Sequence, residues 1–319
     1  MLEKAVVYAL TANVEMVKDI CSRLGLTPGN CEVKHFADGE IIVENYQSVR
    51  GKNVYVVQST CNPVTERLME LLIFIDALKR ASAKHIHVVI PYYGYSRQDR
   101  KAKAREPITA RLVADLLQTA GVERVVAFDL HAPQIEGFFN CPVDNLSAIP
   151  MYGRYFREKF RNLNHELVVV SPDHGGATRA RRLATYLGCN IAIIDKRRPK
   201  PNVAEVMNIV GDVNGKIAIM IDDIIDTAGT ITAGAAAIKN AGAVKVYAAC
   251  THGIFSGEGI NRINESVFEE VVVTDTIPLK DPSASDKIKV LSVGPMIAKA
   301  IERIEMEASL SAVYDLYNV

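Results

Sequence analysis

The stretch KIAIMIDDIIDTAGTIT, residues 216–232, joins an apolar strand to a turn and a helix start. The apolar run 217–221 leads into Asp222 and Asp223, and the turn 226–230 precedes a helical pattern. Backbone N–H groups and two hydroxyls at a helix N-terminus suit a phosphate group. The two carboxylates suit the vicinal hydroxyls of a ribose or a metal ion. An acidic strand end followed by an ordinary capped helix is the alternative, and the length and order of the pattern favour the phosphate site.

The same strand–helix alternation runs through the whole chain and predicts an α/β fold with right-handed crossovers. The predicted strands are apolar on both faces, as in a parallel sheet covered by helices; they are 5–10, 54–58, 85–90, 124–128, 167–170, 191–194, 217–221, 244–249 and 270–273. The predicted helices are 13–24, 64–83, 107–120, 151–160, 176–187, 231–241 and 295–307, with Thr230 as a candidate cap of the sixth.

Two pairs of segments hint at an internal duplication. Residues 87–100 and 167–181 both read as an apolar strand, a proline, a glycine turn and basic residues. Residues 125–131 and 217–224 are both apolar strands that end in carboxylates. Two similar halves divided near 145–150 would explain both pairs, although chance similarity between two strand–helix units would also do so.

Composition excludes several classes of protein. The 319 residues carry 37 basic and 37 acidic side chains, and the formal net charge of +0 argues against a general nucleic-acid binder. No apolar run approaches the roughly 18 residues that span a bilayer, and the first residues do not resemble a secretory signal. No two of the six cysteines form a CxxC pair, and no Cys/His cluster has the spacing of a zinc site. This pattern predicts reduced thiols. Together with the missing apolar run, it predicts a cytoplasmic protein without a membrane segment.

Four further segments place polar residues after predicted strands or in loops. DLHAPQIEGFF, residues 129–139, offers a carboxylate and an imidazole to a metal or to phosphates, or is a turn whose histidine only packs. SPDHGGATRARRLA, residues 171–184, has glycines that let a backbone approach a pyrophosphate. PYYGYSRQDR, residues 91–100, begins a local basic stretch, and IDKRRPKPN, residues 194–202, resembles a loop that closes over a substrate.

The 216–232 stretch resembles the phosphoribosyl-diphosphate binding motif of the type I phosphoribosyltransferase fold. The four other segments resemble those of the ribose-phosphate pyrophosphokinases, and the resemblance extends from FADGE, residues 36–40, to the last helix. It implies two similar phosphoribosyltransferase-like domains, each a mostly parallel sheet flanked by helices. The predicted boundaries are 1–147 and 148–294, with the helix 295–319 packed back on the first domain and the ribose 5-phosphate loop in the second.

The resemblance also implies residue roles. The catalytic pair is Lys196 and Arg198. The ATP-binding residues are Phe36, Asp38, Gly39, Glu40, Arg97 and Gln98. The ribose 5-phosphate residues are Asp222, Asp223, Asp226, Thr227, Ala228, Gly229 and Thr230. The metal candidates are His131 and Asp173, and the candidate contacts of an allosteric anion are Ser48, Arg50 and Arg105.

The implied reaction moves the β,γ-diphosphoryl group of ATP to the C1 hydroxyl of ribose 5-phosphate with Mg²⁺ as cofactor. The resemblance further implies a homo-oligomer, a hexamer built from dimers, with orthophosphate as activator and ADP as inhibitor. A phosphoribosyltransferase shares the 222–230 motif but needs no ATP site. A non-catalytic regulatory relative is the other alternative, and the presence of Lys196 and Arg198 argues against it.

Overall fold

A computed structural model describes residues 2–161, 166–197 and 206–317. The strands are β1 (Ala5–Ala9), β2 (Cys31–His35), β3 (Ile41–Asn45), β4 (Asn53–Val57), β5 (His85–Ile90), β6 (Arg124–Phe128), β7 (Val143–Leu146), β8 (Leu167–Ser171), β9 (Asn190–Arg197), β10 (Val206–Val210), β11 (Ile217–Ile225), β12 (Lys245–Gly253), β13 (Phe268–Thr274) and β14 (Ile288–Leu291). The α-helices are α1 (Val14–Leu24), α2 (Val64–Arg80), α3 (Thr109–Ala120), α4 (Ile149–Phe160), α5 (Ala177–Leu187), α6 (Gly229–Asn240), α7 (Gly259–Glu265) and α8 (Gly294–Glu305). Short 3-10 helices cover Leu2–Lys4, Pro133–Phe138, Pro282–Ala284 and Leu310–Tyr317.

The chain forms two compact units. The first comprises Met1–Ser147, Thr276–Pro278 and Ser292–Leu316, and the second comprises Ala148–Asp275, Leu279–Leu291 and Tyr317–Val319. The first unit holds a five-stranded parallel sheet in the order β1-β4-β5-β6-β7 and a separate antiparallel pair, β2-β3. Helix α8 returns to this unit and packs against α1.

The second unit holds a seven-stranded sheet in the order β10-β9-β8-β11-β12-β13-β14. Only the edge strand β10 is antiparallel to its neighbour, and the other strands are parallel. Val168, Ala218 and Val246 have no exposed surface in the middle of this sheet, because helices cover its strands. The predicted α/β fold with mostly parallel sheets flanked by helices is therefore confirmed.

The two pairs of similar segments occupy matching places in the two sheets. Strands β5 and β6 are parallel neighbours in the first unit, and β8 and β11 are parallel neighbours in the second. In each sheet the strand that precedes the proline and glycine turn therefore lies beside the strand that ends in carboxylates. The carboxyl ends of neighbouring parallel strands form the edge where α/β proteins bind ligands.

The structure contains all nine predicted strands and adds elements that lack a continuous apolar run. Strands β2 and β3 form a separate half-buried hairpin, β7 lies at the edge of the five-stranded sheet, and β10 and β14 lie at the edges of the large sheet. An edge strand needs fewer apolar residues than a central one, and this explains why the sequence pattern missed these strands. Among the described residues, no helix is both long and apolar enough to cross a membrane.

Candidate active site

The carboxylate pair of the second unit is held by one arginine. Arg179 on α5 places Nη1 3.2 Å from Asp222 Oδ1 and Nη2 3.1 Å from Asp223 Oδ1. The Asp222 side chain is 29% exposed, whereas Asp223 is only 5% exposed. The arrangement leaves Asp222 accessible to a ligand and fixes Asp223 beneath it.

Strand β11 continues through both aspartates to Ile225, so the prediction that the strand stops at Ile221 is wrong. Parallel pairing with β12 joins Ile224 to His252 and Ile225 to Gly253, and this pairing extends the strand. Side chains ordinarily alternate between the two faces along a strand. At this end of β11, however, one guanidinium lies within 3.2 Å of both carboxylates, so the two side chains share one site.

The environment of the pair raises the pKa of Asp222. Burial is the main cause, the neighbouring Asp223 carboxylate adds to it, and Arg179 opposes both. Burial also raises the pKa of the Cys250 thiol, which donates to the Asp223 carbonyl at 3.3 Å. Cys250 is therefore a packed, protonated neighbour of the carboxylates and not a nucleophile.

The turn that follows β11 contains backbone amides that are not used in hydrogen bonds among the described residues. Ala228 has φ +60° and ψ −2°, in the left-handed region, and α6 begins at Gly229 without a side-chain cap. The prediction that Thr230 caps this helix is therefore wrong, because Thr230 lies inside it. Within the described part of the chain, the amides of Thr227, Ala228 and Gly229 have no hydrogen-bond partner. A helix N-terminus with open amides is suited to an anion.

The carbonyl groups of the same turn are held by the segment that follows β12. Ser256 donates its amide to the Asp226 carbonyl at 3.1 Å, and Arg262 Nη1 donates to the Thr227 carbonyl at 2.8 Å. A Cβ on Gly259 would lie 2.9 Å from the Asp226 carbonyl oxygen, so the turn needs a glycine there. Sequence reasoning missed Arg262 and Gly259, because neither belongs to a local motif and both lie far downstream of the turn, Arg262 by 35 residues from Thr227.

A second strand–helix turn of this unit lies between β8 and α5. Asp173 is exposed, and its Oδ1 accepts from the Gly176 amide at 2.9 Å. A Cβ on Gly176 would lie 2.7 Å from Ser171 Oγ, which explains the glycine at this position. His174 Nε2 lies 3.2 Å from Asp195 Oδ1 at the end of the next strand. Of the two arginines at 179 and 181, only Arg179 reaches the carboxylates of β11.

In the first unit, the RQDR segment is connected to the DLHAPQ segment. The largely buried Asp99 accepts a hydrogen bond from the Gln134 side chain, and Thr109 Oγ1 donates to Gln98 Oε1 at 2.6 Å. Arg97 and His131 are both exposed. The hydrogen bond between Gln134 and Asp99 thus joins the loop that carries Arg97 to the turn that carries His131. No local pattern predicted the pairing of Asp99 with Gln134, because the two residues are 35 positions apart.

The FADGE segment forms the exposed tip of the β2-β3 hairpin. The Phe36 amide donates to the Glu40 carbonyl at 2.8 Å, and the Gly39 amide donates to the Phe36 carbonyl at 3.0 Å. Gly39 has φ +95°, which favours glycine. The Phe36 side chain is 54% exposed, and Asp38 and Glu40 are also exposed. An aromatic ring and two carboxylates therefore project from a small sheet that does not bury them.

The remaining predicted residues occupy separate places. Ser48 and Arg50 are exposed on the connection between β3 and β4, and Arg105 is exposed in the loop before α3 with φ +69°. Lys196 lies in β9, where it pairs with Met207 of β10, and Arg198 lies outside the described residues.

The donor set fits Mg²⁺ only in combination with substrate oxygens. Among the described residues, no three His, Cys, Asp or Glu side chains are grouped to hold a metal. Mg²⁺ is commonly bound through one or two carboxylates together with substrate phosphates and water. The exposed carboxylate of Asp173 suits this mode, whereas the imidazole of His131 is a less typical ligand for a hard cation.

The fold and the site define a class of protein: an α/β protein with a carboxylate pair, followed by a helix N-terminus, at the carboxyl end of a mostly parallel sheet. Comparison with known families is more specific. A family described as "N-terminal domain of ribose phosphate pyrophosphokinase" matches residues 5–121, and one described as "Phosphoribosyl synthetase-associated domain" matches residues 193–315.

Individual relatives agree over nearly the whole chain. The ribose-phosphate pyrophosphokinase of Fusobacterium nucleatum is 58% identical, over 97% of this chain and 98% of its own. That of Bacillus subtilis is 56% identical, over 97% and 96%. The crystal structure of phosphoribosylpyrophosphate synthetase from Mycobacterium smegmatis has a TM-score of 0.91 at 40% identity and covers 96% of this chain and 100% of that one. The chain belongs to the ribose-phosphate pyrophosphokinase family.

Proposed function

We propose that the protein transfers the β,γ-diphosphoryl group of ATP to the C1 hydroxyl of ribose 5-phosphate, giving 5-phosphoribosyl 1-diphosphate and AMP. Similarity over nearly the whole chain to proteins named ribose-phosphate pyrophosphokinase supports this reaction over base transfer. The observation that carries the proposal is the turn after β11, where open amides follow a carboxylate pair.

Ribose 5-phosphate binds to this turn in the proposal. The amides of Thr227, Ala228 and Gly229 receive the 5-phosphate, and the hydroxyl groups of Thr227 and Thr230 are exposed for the same anion. Asp222 accepts from the ribose hydroxyls, since it is the more exposed carboxylate of the pair. Arg179 balances the charge of Asp222 and Asp223, which it contacts at 3.2 and 3.1 Å. Asp223 and Asp226 complete the site for the sugar in this proposal.

ATP binds to residues of the first unit in the same proposal. Phe36 stacks on the adenine, and Asp38, Gly39 and Glu40 complete that contact at the hairpin tip. Arg97 and Gln98 bind the triphosphate, and the hydrogen bond between Asp99 and Gln134 fixes their loop. An exposed ring such as Phe36 gains more from stacking on a base than a ring that is already buried, because its surface is still in contact with water.

The transfer itself needs alignment and charge neutralisation. The C1 oxygen of ribose attacks the β-phosphorus of ATP, the bond from that phosphorus to the α-phosphate oxygen breaks, and the hydroxyl proton passes to water. Lys196 and Arg198 stabilise the charge that develops on the β-phosphoryl oxygens. Mg²⁺, when bound with the polyphosphate, reduces its charge, and Asp173 and His131 are the residues that would hold it.

The proposal extends to assembly and regulation. The protein acts as a homo-oligomer, a hexamer, with orthophosphate as activator and ADP as inhibitor. Ser48, Arg50 and Arg105 are exposed hydroxyl and guanidinium groups that suit an anion of this kind. The protein acts in nucleotide biosynthesis in this proposal. Its location is the cytoplasm, where ATP and ribose 5-phosphate are available. The six free cysteines are consistent with a reducing compartment.

Product analysis tests the reaction. The purified protein is incubated with ATP, ribose 5-phosphate, Mg²⁺ and phosphate, and the products are followed by phosphorus NMR. AMP and a sugar 1-diphosphate are expected, and Lys196→Ala is expected to lower kcat by on the order of 10²-fold or more. Formation of ADP in place of AMP would refute the diphosphoryl transfer. Consumption of phosphoribosyl diphosphate with a free base would instead indicate a phosphoribosyltransferase.

A further inference from the structure

Arg262 has an unusual position for an exposed arginine. It lies on α7, and its Nη1 donates a 2.8 Å hydrogen bond to the carbonyl oxygen of Thr227 in the phosphate-binding turn. The same guanidinium nitrogen lies 3.7 Å from the place of a Cβ on Gly229. Within the described part of the chain, Arg262 forms no ion pair with a carboxylate. Its charge is therefore directed at the backbone of the turn.

The hydrogen bond fixes the orientation of one peptide group. In a trans peptide the C=O and the following N–H point in opposite directions. When Arg262 holds the Thr227 carbonyl on one side, the Ala228 amide must face the other side. Among the described residues, this amide is one of the three in the turn without a partner. Arg262 thus keeps the amide directed away from itself, toward the opposite side of the peptide plane.

The peptide group needs this restraint because Ala228 is in an unfavourable conformation. Its φ of +60° lies in the left-handed region, where an L-residue other than glycine is disfavoured by roughly 1–2 kcal/mol. A half-turn of the Thr227–Ala228 peptide would take Ala228 back to negative φ. The same movement would replace the ligand-facing amide by a carbonyl oxygen, which repels a phosphate. The relaxed turn would therefore bind the anion poorly.

We propose that Arg262 is a positioning residue that locks the Thr227–Ala228 peptide in the phosphate-binding orientation. The proposal rests on the proposed function, in which this turn binds ribose 5-phosphate. Ser256 and Gly259 restrain the neighbouring Asp226 carbonyl, and Thr232 Oγ1 donates to the Ala228 carbonyl at 2.8 Å. Among these restraints, only the one from Arg262 acts on the peptide whose flip would relieve Ala228.

A double-mutant cycle tests the lock. The variants are Arg262→Met, Ala228→Gly and the double variant, with Arg262→Lys as the conservative change and the exposed Lys289→Met as a charge control. Calorimetric titration of ribose 5-phosphate gives Kd for each protein, and steady-state kinetics give kcat and KM for both substrates. Arg262→Met is expected to raise Kd and KM for ribose 5-phosphate roughly tenfold. A change of this size corresponds to the loss of one hydrogen bond from a charged group. The KM for ATP is expected to stay within about twofold, and Arg262→Lys is expected to recover part of the loss.

The decisive result is how strongly the effect of Arg262→Met on Kd depends on the residue at position 228. Glycine adopts both peptide orientations without strain, so Arg262→Met is expected to cost only about two- to threefold in the Ala228→Gly background. An equal loss in both backgrounds would overturn the lock, because a guanidinium that binds the phosphate directly would act alike in each. An unchanged Kd in Arg262→Met would also overturn it. If the parent protein binds ribose 5-phosphate but forms no product, the proposed reaction is refuted, and the Kd values of the double-mutant cycle still test the role of Arg262. If the parent protein does not bind ribose 5-phosphate, both proposals are refuted.

Discussion

Replacement of Arg179 by methionine removes the guanidinium that lies within 3.2 Å of both carboxylates and keeps most of the apolar side chain. Breaking a buried ion pair by removing one partner costs about 3–5 kcal/mol. Asp223 is 5% exposed, but Asp222 is 29% exposed and regains part of its hydration. We therefore expect a loss of about 2–3 kcal/mol at pH 8, or a fall in Tm of roughly 5–10 °C.

The loss depends on pH with a defined sign. Burial and Asp223 raise the pKa of Asp222 to about 7 in the folded protein, above the value of about 3.9 for an unperturbed aspartate. The folded state therefore binds more protons between these values, and the contribution of Asp222 to stability is lost as pH rises through about 7. At pH 5 Asp222 is neutral, so Arg179→Met is expected to cost about 1 kcal/mol less than at pH 8.

Thermal unfolding at pH 5 and pH 8 measures the difference. The control is Lys245→Met in the same unit, whose ammonium lies 3.9 Å from Glu269 with both side chains over 40% exposed. An exposed pair of this kind contributes at most about 1 kcal/mol. The reasoning is refuted if Arg179→Met lowers Tm no more than the control, or by the same amount at both pH values.

Three further perturbations address other parts of the molecule. Gly259→Ala would place a Cβ 2.9 Å from the Asp226 carbonyl, so we expect a loss of about 1–3 kcal/mol in thermal unfolding and a higher KM for ribose 5-phosphate. Gln134→Leu removes the hydrogen bond to buried Asp99, so KM for ATP should rise several-fold in steady-state kinetics while KM for ribose 5-phosphate stays constant. Burial lowers the pKa of His87 to about 4, so its contribution to stability should appear as pH rises from about 4 to 6.5, and His87→Gln should flatten that part of the Tm profile.

Matched controls separate these effects from general damage. Gly137→Ala introduces a Cβ with no atom within 4 Å and should leave Tm nearly unchanged. Gln134→Glu keeps the size of the side chain but sets a carboxylate against Asp99, so it should raise KM for ATP at least as much as Gln134→Leu. His85→Gln changes a histidine whose side chain is 41% exposed and lies 2.8 Å from Glu123. This change should leave the rise of Tm between about pH 4 and 6.5 in place. The opposite result for any of the three would contradict the corresponding argument.

The local sequence predicted those features that depend on neighbouring residues. The nine apolar runs indicated the central strands, because a strand covered on both faces must be apolar throughout. The turn after β11 was also visible, because consecutive polar and small residues between a strand and a helix encode it locally. The motifs along the chain likewise indicated the family, and the matching family models and relatives confirm it.

Other features required the tertiary structure, because their partners are distant in the chain. Arg179 and the β11 aspartates are 43 residues apart, and parallel pairing of β8 with β11 brings their ends to the same edge of the sheet. Arg262 and Thr227 are 35 residues apart, and only the packing of α7 against α6 joins them. The left-handed conformation of Ala228 is a property of the folded turn, since alanine has no local preference for positive φ. The sequence determined which residues can bind the substrates, and the three-dimensional contacts decided which of them are held in position to do so.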